Sequence, residues 1–146
     1  TDETHARSAV QQAIQQFGAL DILVNNAGVG EFGRRIHEMD DETWARVLDV
    51  NVTGVFRMTR AALPEMLKQR RGSIVNISSI ASLVGIPMLP VYAASKGAIN
   101  ALTRAMALAC ASLPVGCNLG EASSGIVACV LSPQKGQLMR LLHDDG

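Results

Sequence analysis

This chain has no net charge to steer a partner: 13 Lys and Arg balance 13 Asp and Glu over 146 residues. A neutral balance gives no electrostatic footprint for nucleic acid. The cluster Lys68-Gln69-Arg70-Arg71 reads instead as the cationic end of a helix, favourable to its dipole. Cysteine is scarce as well. Cys110, Cys117 and Cys129 are odd in number, lie late in the chain and form no CxxC pair. That argues against a disulfide framework and against a zinc or thiol-redox site. His5, His37 and His143 are scattered without ligand spacing, so no metal centre is expected. The start of the chain is polar and charged, with no visible signal peptide, and a cytoplasmic location is expected. Residues 72–95 carry no charge, but Gly85, Pro87, Pro90 and several serines interrupt them. They read as a buried strand and a loop rather than a membrane span.

What is present suits one globular α/β domain. Hydrophobic residues make up 48% of the chain, enough for a core at this length. Val10, Ala13, Ile14 and Phe17 recur at helical spacing, which predicts a helix over about 2–17, stopped by Gly18. Leu20–Val24 is a short apolar run, read as a buried parallel strand. Asn25–Gly28 then sits at its C-terminal end, where open α/β sheets place ligands; Gly28, Gly30 and Gly33 mark a loop. Asp40 is a good N-cap for a long helix, with Asp41 and Glu42 in its first turn. The apolar stripe of that helix runs from Trp44 through Val47, Leu48, Val52, Val55, Phe56, Ala62, Leu63 and Met66 to Leu67. Pro64 is expected to bend it, and Gly72 to end it. Ile74–Ile77 reads as a second buried strand, with Ser78 and Ser79 emerging at its C-terminal end. A final helix is predicted over about Val91–Ala111. Strand-helix alternation of this kind implies a parallel sheet.

Four polar residues stand out within this frame. Tyr92 and Lys96, in Tyr92-Ala93-Ala94-Ser95-Lys96, are four apart and share a helix face. Ser79 lies 13 positions before Tyr92, and Asn51 lies 28 before Ser79. A phenol with a reference pKa near ~10 is a poor base at neutral pH. A neighbouring ammonium favours the phenolate. Bringing the value to about 7 needs roughly 4 kcal/mol, an energy that one close charge in a partly dry site can supply. Asn51 falls on the apolar stripe of its helix, where an amide costs free energy unless hydrogen-bonded. It is either a satisfied core amide, or a residue that disturbs the helix locally and holds a water near Lys96.

Asn25-Asn26-Ala27-Gly28, Asn51, Ser79 and the Tyr92–Lys96 motif together resemble the signature of the short-chain dehydrogenase/reductase family. The likeness is nearest to 3-oxoacyl-carrier-protein reductases and to sugar or steroid alcohol dehydrogenases, and it runs from residue 1 to about residue 109. It implies a partial Rossmann-like fold, a doubly wound parallel sheet, and oxidoreduction between a secondary alcohol and a carbonyl of a small molecule. It further implies NAD or NADP as cofactor and Asn51, Ser79, Tyr92 and Lys96 as the catalytic set. Tyr92 would exchange the proton, Ser79 would orient the substrate oxygen, and Asn51 would connect a relay to water. Asn26, Ala27 and Gly28 would lie against the adenosine side of the cofactor, with Lys96 beside Tyr92 on the nicotinamide ribose. Helices 40–71 and 91–111 would form a dimer interface; packing of the small face Ala93, Ala94, Gly97, Ala98 and Ala101 on the chain's own sheet is the alternative.

The chain departs from the family pattern at both ends. The first βα units, with their TGxxxGxG turn, are expected to be missing. Residues 110–146 form a divergent tail, with a strand-like run over Ile126–Leu131 and a short helix over Gln137–His143. A loop or disorder is expected around Gly116–Gly125, and a change of reading frame after about residue 109 is one explanation for the tail. The rival expectations to an enzyme are an inactive fragment that pairs with a full-length homologue, and a relic without function.

Overall fold

The structure, a computed structural model, describes residues 2–110 and, as backbone, residues 117–121 and 127–131. The first helix, α1 (Glu3–Phe17), starts where the Asp2 carboxylate accepts from the Thr4 N–H at 2.8 Å. It ends at Gly18, whose φ of 82° lets its N–H reach back to the Ile14 carbonyl. A left-handed residue there is cheap only without a Cβ. Ala6 and Val10 face inward, but Phe17, placed on the stripe by its spacing, is 73% exposed.

Strand β1 (Ile22–Asn25) pairs in parallel with β2 (Ser73–Asn76), with Ile22 opposite Ser73 and Asn25 opposite Asn76. Between them, α2 (Asp41–Leu48) and α3 (Gly54–Lys68) are joined without a loop by a wider π turn over Asp49–Thr53. Asp40 caps α2 as its sequence position suggests. Its carboxylate accepts from the Thr43 N–H at 2.6 Å, and that bond, with the Thr43 hydroxyl and Arg34, holds its pKa down to about 2. The break in winding falls at Asn51, well before Pro64, which lies inside α3. Gly72 does not end this helix. The chain turns at Arg70, with φ 55°, after α3 has stopped at Lys68. Glycine is required at 72 for space: a Cβ there would stand 2.5 Å from Met66 Cγ.

The last long helix, α4 (Pro90–Cys110), packs with α1 and α3 against one face of the sheet. Val10, Leu23, Ala62, Met66, Ile74, Ala107 and Cys110 form this core. The opposite face of β1 is not covered: Ile22 is 62% and Val24 54% exposed. Burial on both faces, expected for a parallel strand, therefore does not hold for β1 among the described residues. Trp44 and Phe56, also on the helical stripe by spacing, are nearly half exposed, whereas Val47, Val55, Ala62 and Met66 are buried.

Strand β3 (Cys117–Glu121) pairs antiparallel with β4 (Val127–Leu131), and β4 runs beside β2. Of the run expected over Ile126–Leu131, the described residues Val127–Leu131 form a strand. Cys117–Glu121 is a strand too, not the loop its glycines and serines suggested, because β4 supplies a ladder partner that local composition does not reveal. The helix expected over Gln137–His143 lies outside the described residues. No helix among the described residues is long and apolar enough to cross a membrane.

Gly72→Ala is expected to destabilise the fold by about 1–3 kcal/mol through overpacking against the fully buried Met66. Urea melts check this, and an unchanged midpoint would contradict the steric account.

Candidate active site

The C-terminal ends of β1 and β2 and the start of α4 bring the candidate residues together. Parallel strands end on one edge of their sheet, so Asn26–Gly28 and Ser78–Ser79 emerge side by side there. Asn26, Ala27 and Gly28 are exposed. Asn25, by contrast, is buried and belongs to the scaffold. Its Nδ2 donates to Asn76 Oδ1 at 2.8 Å and to Thr59 Oγ1 at 3.3 Å. Asn76 Nδ2 donates in turn to Thr103 Oγ1 at 2.9 Å. This network ties both strands to α3 and α4.

Asn51 is 1% exposed and lies in the π turn. The wider turn re-aims its side chain. Its Oδ1 accepts from the Val29 N–H at 2.8 Å, while its Nδ2 donates to the Val29 carbonyl at 2.8 Å and to Ser95 Oγ at 2.9 Å. Ser95 Oγ donates to the Tyr92 carbonyl at 2.7 Å. Its amide is satisfied, as one sequence reading expected, and it lies where the helix winding widens. What it holds directly is the loop after β1.

Lys96 follows Tyr92 by one helical turn. It is 4% exposed, its Nζ donates to the Ile77 carbonyl at 2.7 Å, and it stands 5.6 Å from the centre of the Tyr92 ring. Burial pushes its pKa below the ordinary 10.5, since a dry site disfavours the ammonium. Lys96 Nζ and Asn51 Oδ1 both lie close to Gly28, each 3.5 Å from where a Cβ on that residue would stand.

Ser79 is half-buried and opens a 3-10 turn over Ile80–Ser82 that packs against α4. Its Oγ accepts from the Ala81 N–H at 3.2 Å, and its carbonyl accepts from Ser82 Oγ at 2.5 Å. Asn100, another turn along α4 from Lys96, donates from Nδ2 to Ser82 Oγ at 2.7 Å. The face that carries Tyr92 and Lys96 therefore also anchors the turn that carries Ser79.

A separate cleft of about 220 Å³ runs beside β1, lined by residues that include Val24, Asn26, Ala27, Gly54 and Met58. It adjoins the predicted cofactor residues Asn26 and Ala27 but not Tyr92, Lys96 or Ser79. Two contributors to the site were not singled out from the sequence. Ser95 lies inside the Tyr92–Lys96 motif, and its bridging to Asn51 needed the fold. Glu31 gave no local signal at all.

The family described as short chain dehydrogenase matches this chain over residues 1–129. The chain belongs to the short-chain dehydrogenase family. A relative in Xanthobacter autotrophicus, the inactive 2-(S)-hydroxypropyl-CoM dehydrogenase 2, is 50% identical over 107 residues, 73% of this chain and 46% of that protein. The 3-oxoacyl-[acyl-carrier-protein] reductase of Thermotoga maritima is 40% identical over 107 residues, 73% of this chain and 43% of the reductase. Among solved structures, an NAD+-bound xylitol dehydrogenase superposes with a TM-score of 0.71 at 38% identity, over 74% of this chain and 42% of its own. The chain thus spans less than half the length of these short-chain dehydrogenases.

Lys96 gives a pH test of the site's electrostatics. Its folded pKa lies below the unfolded value of 10.5. Between the two the unfolded chain binds the extra proton, so stability rises as pH rises through that window. Relative to Lys96→Met, the wild-type chain is expected to gain stability in urea melts as pH rises toward the unfolded value of 10.5. Parallel pH curves for the two would contradict a buried, partly desolvated ammonium.

Proposed function

We propose that this chain is the catalytic segment of an NAD(P)-dependent oxidoreductase that interconverts a secondary alcohol and a carbonyl compound. The observation that carries the reading is that Lys96 Nζ is buried 5.6 Å from the centre of the Tyr92 ring, with the Asn51 amide and Lys96 Nζ both beside Gly28. Three separate stretches of sequence converge there.

In this reading the Tyr92 hydroxyl gives a proton to the substrate carbonyl oxygen during reduction and takes it back during oxidation. The Ser79 hydroxyl hydrogen-bonds the same oxygen and stabilises the charge that develops there. Lys96 holds a positive charge beside Tyr92, and Asn51 links the site to water. The residues present fit part of a nicotinamide dinucleotide. Lys96 offers a donor for the ribose, and the exposed Asn26, Ala27 and Gly28 allow close approach on the adenosine side. When bound, such a cofactor supplies or accepts the hydride. The glycine-rich pyrophosphate turn is not among these 146 residues.

A second reading has its own observation. Ile22 and Val24 are exposed on a strand face that no described element covers, an apolar surface of the kind that partners cover, and one relative bears the name of an inactive enzyme. Here the chain would be a non-catalytic module that joins a second copy or a homologue through the helices over 40–71 and 91–111. The small face of α4 is free for this: Ala94 and Ala101 are exposed, and a Cβ on Gly97 would meet nothing within 4 Å.

Titration with NADH and NADPH, followed by carbonyl reduction assays, separates the readings. The catalytic one expects micromolar binding of one nucleotide. It expects Tyr92→Phe to keep that binding and to lose turnover by at least about 10²-fold. A folded chain that binds neither nucleotide, or a Tyr92→Phe variant of undiminished rate, would sink it.

A further inference from the structure

Helix α4 begins at Pro90 and has no acidic residue in its first turn. Its first backbone N–H groups, on Val91 and Tyr92, need acceptors from elsewhere. They find one 60 residues back in sequence. Glu31 Oε1 accepts from the Val91 N–H at 2.7 Å and from the Tyr92 N–H at 3.1 Å, and Oε2 accepts from the Tyr92 N–H at 3.1 Å. Glu31 is only 6% exposed, and it forms no ion pair among the described residues. A carboxylate buried this far is costly unless something answers its charge. The positive end of α4 does so.

The same loop reaches Tyr92 in two more ways. Gly30 lies under its ring, where an added Cβ would stand 3.3 Å from Tyr92 Cδ2. Val29 is held by Asn51, which holds Ser95, which donates to the Tyr92 carbonyl. The N–H of Tyr92 is thus bonded by Glu31, its ring packs on Gly30, and its carbonyl is linked to Val29 through Ser95 and Asn51.

We propose that Glu31 is a positioning residue, whose carboxylate clamps the first turn of α4 and thereby sets where the Tyr92 phenol stands. Its catalytic meaning rests on the reading of Tyr92 as proton donor; the clamp itself rests on geometry.

Tyr92 is the single tyrosine of the chain, so 3-fluorotyrosine gives one ¹⁹F resonance that reports its ring alone. In Glu31→Ala, that resonance is expected to move. Amide exchange at Val91 and Tyr92 is expected to quicken by about tenfold or more, the loss of charge-assisted hydrogen bonds. Exchange over Thr103–Cys110 is expected to stay unchanged. Glu31→Met keeps the length of the side chain but has no oxygen to accept from either N–H, and is expected to show the same local change, which keeps the test available should Glu31→Ala fail to fold. An unmoved resonance with unchanged exchange in the folded variants would overturn the proposal. So would faster exchange spread evenly along α4, the mark of general loosening. A wild-type chain that binds no nicotinamide nucleotide would defeat the catalytic reading instead, and these two spectra would still decide the clamp.

Discussion

Buried amides that take their partners from within the protein are the constraint on which this structure turns. Asn25, Asn51 and Asn76 are each nearly or wholly inaccessible. An unpaired polar group in such a place costs about 1–3 kcal/mol, a large share of a small domain's stability. Pairing Asn25 with Asn76 fixes the register of β1 on β2, since the two residues lie opposite one another in the ladder. Thr59 and Thr103 close the network onto α3 and α4. A slip of either strand by one residue would turn its amide to the other face and break the pairing.

Asn51 extends the same logic into the site. Its amide replaces a missing partner for both the N–H and the carbonyl of Val29, so the loop after β1 is docked by side-chain bonds rather than by a sheet. The π turn brings that amide to the loop. From there a chain of bonds runs through Ser95 to the Tyr92 carbonyl, Glu31 of the same loop accepts from the Tyr92 N–H, and Lys96 is buried beside Tyr92 with its pKa lowered by desolvation. The site residues are therefore positioned by hydrogen bonds within a thin layer rather than by a deep core. The open face of β1 adds little to their support.

Much of this was legible locally. Gly18 and Asp40 announce helix ends through backbone and capping chemistry that needs no tertiary context. The four-residue spacing of Tyr92 and Lys96 fixes their shared face, and an asparagine on an apolar stripe marks Asn51 as unusual. What escaped the sequence depends on distant partners. Glu31 is an ordinary loop acid until α4 arrives beside it. Gly72 reads as a helix stop, yet the turn is made at Arg70, and glycine serves Met66 instead. Phe17, Trp44 and Phe56 have the spacing of core residues, but Phe17 is largely exposed and Trp44 and Phe56 are only partly covered. The ladder of Cys117–Glu121 on β4 likewise outweighs a composition that favours loops.

The side-chain NH2 protons of Asn25, Asn51 and Asn76 test this account most directly. Their hydrogen exchange in the ¹⁵N-labelled chain can be compared with that of the exposed Asn26. Slow exchange, at least about tenfold below Asn26, at all three is the result the buried network requires. Exchange as fast as at Asn26 would mean that the amides meet water, and that neither the strand register nor the loop beside Tyr92 is held as described.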